Sequence, residues 1–133
     1  TSFTIMPVNG VFEECIYEDL NGNMWFGSFV GDGVAMYDGA NWTYYSDAIG
    51  GFGGSVLCIG EDIDGNLYFA SIGKTIKFDG STWSEFYIPN NTAEISEIFL
   101  DSQGNTWFAS YGNYFKYDGT NWKVLSLGST ISS

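Results

Sequence analysis

The hydrophobic and polar positions of the chain fall into short apolar segments separated by polar turn dipeptides. Residues 15–17 (Cys-Ile-Tyr) and 24–26 (Met-Trp-Phe) carry apolar side chains at consecutive positions. A strand that is buried on both faces has this pattern, whereas a half-exposed strand alternates. Asn-Gly at 21–22 and Asp-Gly at 38–39 favour tight hairpins, because glycine adopts a positive φ without steric cost. We therefore predict four short strands, a to d, at about 13–18, 23–29, 34–38 and 42–46.

This four-strand pattern occurs three times along the chain. Residues 14–28, 57–71 and 96–110 align without a gap, and each copy continues to an aromatic-Asp-Gly-x-x-Trp segment. A fixed period of about 40 residues is typical of propeller blades, in which each four-stranded sheet lies between two others. The sequence therefore predicts an all-β fold, a β-propeller segment of three four-stranded antiparallel blades.

The predicted segment occupies residues 1–133, with blades at about 11–54, 55–94 and 95–127. Residues 1–10 contain a stretch similar to strand d, and we predict that they form the outer strand of a preceding blade. Closed propellers have about four to eight blades, so we expect three blades to belong to a larger propeller or to one completed by an oligomer partner. A monomer is the least favoured state, because it would expose two apolar blade faces.

The charge balance excludes several classes of function. Sixteen acidic residues oppose four lysines, there is no Arg or His, and the net charge is -12. Nucleic acids and anionic membrane surfaces need clustered cations, so we predict neither as a partner. Without His, a Ser-His-Asp or Cys-His arrangement and a His-ligated metal are impossible. Since no carboxylate pair is singled out either, we predict no catalytic residue, no cofactor and no enzyme activity.

Three further features have a structural and a functional interpretation, and we favour the structural one for each. Residues 62–66 resemble the start of a calcium loop, but their counterparts lack the central acid, so we assign Asp62 to the turn and predict no metal site. Cys15 and Cys58 occupy equivalent positions on neighbouring sheets about 10 Å apart, too far for a disulfide, and we predict two buried free thiols. Five tryptophans recur at matched positions, which favours core packing over sugar stacking.

The predicted ligand site lies on the connections that differ between copies. Propeller topology places the b–c and d–a connections on one face, and these loops vary while the a–b and c–d turns are nearly constant. Loops without a structural role are where binding residues accumulate. Aromatic and amide side chains suited to a sugar occur there, and we predict these as the site: Phe52, Asn90, Asn91, Tyr111 and Tyr114.

The repeat motif also resembles a known family. Asp-x-x-Gly-Asn-x-aromatic-Phe-(Gly/Ala)-Ser, followed by aromatic-Asp-Gly-x-x-Trp, is similar to the two-component regulator propeller repeat, from about Val11 to Leu127. The resemblance implies seven-bladed propellers that form periplasmic sensor regions of bacterial hybrid histidine kinases, often tied to polysaccharide use, or secreted proteins. It therefore implies a periplasmic or extracellular location. Streptogramin-type lyases have similar blades, but their chemistry depends on a His that this chain lacks.

Three functional hypotheses follow. The first is a non-catalytic ligand-binding or sensor segment, with a small molecule or a glycan as its ligand. The second is a structural assembly module whose blades complete a propeller, with either other blades of the parent chain or a homo-oligomer partner. A lyase-type propeller enzyme is the least favoured.

Overall fold

The computed structural model describes residues 13–28, 33–45, 56–71, 73–89 and 94–126. Strands occupy most of these residues, and no helix occurs within them. The strands, in chain order, are β1 (Glu13–Glu18), β2 (Met24–Ser28), β3 (Val34–Tyr37), β4 (Trp42–Tyr45), β5 (Val56–Glu61), β6 (Leu67–Ser71), β7 (Lys74–Phe78), β8 (Trp83–Phe86), β9 (Glu97–Leu100), β10 (Thr106–Ser110), β11 (Asn113–Tyr117) and β12 (Trp122–Ser126).

The strands form three four-stranded antiparallel sheets, each with its strands in sequence order. We call them blade 1 (β1–β4), blade 2 (β5–β8) and blade 3 (β9–β12). The first strands of consecutive blades, β1, β5 and β9, lie next to each other. This confirms the predicted all-β architecture of three consecutive blades. The strand predicted within residues 1–10 lies outside the described residues.

An aspartate organises each a–b turn. Asp19 accepts hydrogen bonds at Oδ1 from the backbone N–H groups of Asn21 and Asn23, both at 2.9 Å. Its Oδ2 accepts from Trp25 Nε1 at 2.9 Å, which fixes the first large side chain of strand b. The same bonds recur at Asp62 and Asp101, so these carboxylates serve the turns, in agreement with the structural interpretation of the repeat motif.

The hydrophobic core lies between blades. We call the side of a blade that packs on the next blade its trailing face, and the opposite side its leading face. One cluster joins blade 1 to blade 2 and consists of Trp25, Val34, Val56, Ile59, Leu67, Phe69, Ile76 and Phe78. The other joins blade 2 to blade 3 and consists of Tyr68, Ala70, Ile88, Ile95, Ile98, Phe108 and Phe115. Because burial of one large apolar side chain contributes about 1.5–3 kcal/mol, each of these interfaces contributes substantially to stability.

The tryptophans belong to this packing. Trp42, Trp83 and Trp122 each pack on the strand c aromatic of their own blade, with ring centroids 4.8, 4.2 and 4.4 Å apart. Trp25 is 2% exposed and meets the rings of blade 2. Trp107 is half-buried and donates from Nε1 to Asp101 Oδ2 at 2.8 Å. Trp25, Trp83 and Trp122 belong to the core clusters, as predicted, whereas Trp42 and Trp107 lie outside both.

Small residues let the first two strands of adjacent blades approach closely. A Cβ on Gly60 would lie 2.5 Å from Ile98 Cβ, and one on Gly27 would lie 3.0 Å from Val56 Cγ1. Cys15 and Cys58 form no disulfide, as predicted, but they are half-buried rather than buried.

Candidate functional site

The candidate site begins with a row of side chains on the trailing face of each blade. Cross-strand pairing places one residue each from strands a, b and c side by side, and we call this set the trailing-face row. The three rows are Cys15, Gly27 and Val34 in blade 1; Cys58, Ala70 and Thr75 in blade 2; and Glu97, Ala109 and Tyr114 in blade 3. Blade 3 thus carries larger and more polar side chains than the other two.

The first two rows are each covered by a residue near the start of strand a in the next blade. This residue is Val56 for blade 1 and Ile95 for blade 2. Cys15 Sγ lies 3.7 Å from the carbonyl oxygen of Val56, and Cys58 Sγ lies 3.6 Å from that of Ile95. Val56 and Ile95 are themselves buried, at 0% and 2% exposed, and the two thiols beneath them are half-buried. Each contact is a weak hydrogen bond in which the thiol donates to the carbonyl.

The third row instead lines an open groove with a volume of about 450 Å³. This volume falls within the range of about 300–1,000 Å³ that is usual for small-molecule sites. The groove is bounded by the start of strand a and by the b–c turn of blade 3, together with one residue of blade 2. The lining residues are Leu57, Glu94, Ile95, Ser96, Glu97, Ala109, Tyr111, Gly112 and Tyr114.

The b–c turn of blade 3 holds a tyrosine in an unfavourable backbone conformation. Ser110 pairs with Asn113, so Tyr111 and Gly112 form a two-residue hairpin loop. Their φ angles are +45° and +85°, as in a type I′ turn. Asn-Gly is the favoured pair there, because a bulky L-residue at positive φ is strained. Tyr111 is the one non-glycine residue with positive φ in the described part of the chain, and its side chain is 78% exposed.

The polar groups of the groove are acceptors and hydroxyls rather than cations. Glu94 and Glu97 contribute carboxylates, and Ser96 Oγ donates to the carbonyl oxygen of Ala109 at 3.3 Å. Burial raises the pKa of the Cys58 thiol to about 12, and the negative charges of Cys15 and Glu97 contribute smaller increases. Such a groove favours neutral or cationic ligands with hydroxyl or amine donors.

The structure brings together two of the five predicted site residues. Tyr111 lies in the b–c turn, Tyr114 lies in β11 just after it, and both line the groove. Phe52, Asn90 and Asn91 lie outside the described residues, and they stay predictions. Sequence reasoning missed Glu97. Its signal was available, because the equivalent position is cysteine in the other two copies.

A second polar cluster lies inside the interface between blades 1 and 2. Glu61 is 2% exposed, and it accepts hydrogen bonds from the Tyr17 hydroxyl at 3.0 Å and from the Leu20 backbone N–H at 3.0 Å. Burial raises the pKa of Glu61, the two hydrogen bonds oppose this, and the negative charges of Asp19 and Asp62 add to it. Burial and the neighbouring Glu61 carboxylate likewise raise the pKa of Tyr17 above its ordinary value. The carboxylate is held by donors of the neighbouring blade.

The stacked four-stranded sheets define this chain as a segment of a β-propeller. Virginiamycin B lyase from Staphylococcus aureus, in a catalytically inactive form with quinupristin, is similar at 16% identity and a TM-score of 0.73. The alignment covers 96% of this chain and 45% of the lyase.

Sensor proteins give a comparable match. The extracellular domain of a putative hybrid two-component system from B. thetaiotaomicron is similar at 18% identity and a TM-score of 0.71, over 89% of this chain and 18% of that one. A second such domain from the same organism gives 19% identity and a TM-score of 0.59, over 96% of this chain and 22% of that one. No protein-family model and no curated protein matches the chain. At these identities the similarity establishes the fold, and the chain spans less than half of each of these structures.

No helix in the described part of the chain is long and apolar enough to cross a membrane.

Proposed function

We propose that this propeller segment is a non-catalytic ligand-binding module whose groove in blade 3 binds a neutral, hydroxyl-rich ligand such as a glycan. The observation that carries this proposal is the change in the trailing-face row. Blades 1 and 2 keep a thiol and a small or β-branched residue there, whereas blade 3 has Glu97 and Tyr114 lining an open groove. A repeat that departs from its own packing pattern at one place is expected to have a different role there.

The chemistry of the groove supports a sugar. The rings of Tyr111 and Tyr114 offer apolar faces for the C–H groups of a pyranose. The carboxylates of Glu94 and Glu97 accept hydrogen bonds from hydroxyl groups, and charged acceptors bind such donors strongly. An anionic glycan is disfavoured by these carboxylates and by the net charge of -12.

The strain at Tyr111 adds a second argument. Asparagine or glycine would satisfy this turn better, so a tyrosine with an exposed ring is unfavourable for folding. Strained residues cluster at binding sites, where the side chain is needed for a contact outside the fold. We infer that the Tyr111 ring contacts the ligand.

An extracytoplasmic sensor is the setting that we propose. Two of the similar structures are extracellular domains of hybrid two-component systems, and a glycan ligand would be met outside the cell. A lyase activity is less favoured, because the chain contains no His.

Binding of neutral oligosaccharides tests this proposal. We expect the full chain to bind members of a neutral glycan array, and Tyr114→Ala to weaken that binding by about tenfold or more in calorimetry, because an aromatic platform contributes roughly 1.5 kcal/mol. Tyr87→Ala is the matched control, since Tyr87 is also exposed but does not line the groove. The proposal is wrong if no neutral glycan binds, or if both variants bind as the wild type does.

A further inference from the structure

The contact between Tyr17 and Glu61 indicates what kind of partner fits the leading face of blade 1. Glu61 lies on the leading face of blade 2, and its carboxylate accepts hydrogen bonds from two donors of blade 1, the Tyr17 hydroxyl and the Leu20 backbone N–H. No lysine contributes to these contacts. A carboxylate buried in this way depends on both neutral donors, because losing a partner of a buried charge is strongly destabilising.

The repeat contains a second copy of this acceptor. Glu18 is the counterpart of Glu61 in blade 1, one residue before the turn aspartate, and it lies exposed on the leading face of that blade. Ile16, the counterpart of Ile59, is 61% exposed, whereas Ile59 is 6% exposed. The face that is closed in blade 2 is therefore open in blade 1, and it carries the same pair of an apolar residue and a carboxylate.

The aromatic part of this face is also conserved between the two blades. Trp42 packs between Phe26 and Tyr37 at centroid distances of 5.5 and 4.8 Å. In blade 2 the equivalent rings of Phe69, Phe78 and Trp83 pack together and are covered by blade 1. A partner for the leading face of blade 1 should therefore resemble the trailing face of blade 1, which covers the equivalent rings of blade 2.

We propose that the leading face of blade 1 docks a further blade of this repeat that carries a tyrosine at the position of Tyr17, with the tyrosine hydroxyl donating to Glu18. The backbone N–H at the position of Leu20 supplies the second donor. The partner is thereby defined by chemistry: an apolar trailing face with one hydroxyl donor opposite Glu18.

The third blade of a second copy does not have this chemistry. Its residue at the Tyr17 position is Phe99, which lacks the hydroxyl, and its residue at the Cys15 position is Glu97. In the two interfaces of this structure a thiol meets a backbone carbonyl at that position. A head-to-tail pair of copies would therefore bury Glu18 with one donor missing and place the Glu97 carboxylate against a carbonyl oxygen. The occupant is a blade other than the third blade of this chain.

Converting blade 3 into such a partner tests the proposal on the full chain. Phe99→Tyr together with Glu97→Cys gives its trailing face the donors of blade 1, and both positions are exposed, so the fold is retained. We expect sedimentation and light scattering over a concentration series to show self-association that is about tenfold or more tighter than for the wild type, because hydrogen bonds to a charged acceptor are strong. Adding Glu18→Ala removes this gain. Adding Glu85→Ala, which removes an exposed carboxylate of β8, leaves it unchanged.

Three results would overturn the proposal. The first is self-association of the wild type that Glu18→Ala weakens, since the occupant would then be a second copy. The second is a converted variant that associates no more tightly than the wild type while circular dichroism shows an unchanged fold. The third is a gain that survives Glu18→Ala. None of these measurements involves a glycan, so the outcome is independent of the proposed ligand.

Discussion

Replacing Tyr111 with asparagine separates what the b–c turn of blade 3 needs for folding from what the groove needs for binding. Tyr111 has a φ of +45°, and an L-residue in the left-handed region costs about 1–2 kcal/mol unless it is glycine or asparagine. The side chain is 78% exposed, so its removal sacrifices little buried surface. We therefore expect Tyr111→Asn to raise the free energy of unfolding by about 1 kcal/mol, which corresponds to roughly 3–5 °C in Tm for a chain of this size.

Urea unfolding followed by tryptophan fluorescence measures this change. The slope of the free energy with urea should stay constant, because an exposed side chain hardly alters the surface that unfolding exposes. Tyr87→Asn is the matched control, since Tyr87 is 76% exposed and is not among the residues with positive φ. We expect the control to stay within about 0.5 kcal/mol of the wild type, as surface substitutions usually do.

The same two variants connect stability with function. If the strain is kept for the sake of the ligand, Tyr111→Asn gains stability and loses glycan binding, whereas Tyr87→Asn changes neither. A Tyr111→Asn variant that is no more stable than the control would refute the assignment of strain to this turn. A variant that gains stability and still binds would refute the role of the ring in recognition.

Three further changes test the interfaces between blades. Gly60→Ala should cost about 1–3 kcal/mol, because the new Cβ would lie 2.5 Å from Ile98 Cβ, and chemical unfolding would measure the loss. Glu61→Gln removes a carboxyl group whose pKa is raised in the folded state. The wild type should therefore lose stability relative to the variant as the pH rises from the ordinary glutamate pKa through the raised one. Equal pH profiles of the free energy of unfolding would contradict this. Cys58, with its pKa raised to about 12, should react with iodoacetamide at pH 8 about a hundredfold more slowly in the native chain than in urea, as mass spectrometry would show.

The sequence predicts the blades well because their determinants are local. Asn-Gly at 21–22 and Asp-Gly at 38–39 set the turns, and the apolar segments between them set the strands, whose predicted bounds agree with β1 to β4 within about two residues. Tyr68 shows how tolerant this framework is. It replaces the tryptophan of the other copies, and its hydroxyl still donates to Asp62 Oδ2 at 2.7 Å.

The groove and the buried carboxylate depend on contacts between elements that are far apart in sequence. Tyr111 and Tyr114 were selected because they lie in or beside a connection that differs between copies, and ligand binding by them stays a prediction. Glu97 could not be placed beside Tyr114 without the register in which both pair with Ala109. Glu61 shares its sequence context with the exposed Glu18, and only the packing of blade 1 on blade 2 makes it buried.

The residue at one equivalent position of the three blades differs with the contact that it makes to the next blade. Position 15 and its counterpart 58 are cysteine because a small donor must meet a carbonyl of the next blade, at 3.7 and 3.6 Å. A glutamate carboxylate cannot donate to that carbonyl, so a blade packed on blade 3 in the same register would have to accommodate Glu97 by a different contact. The trailing-face row of blade 3 lines the groove instead. Under our proposal the same substitution also makes blade 3 a poor partner for Glu18.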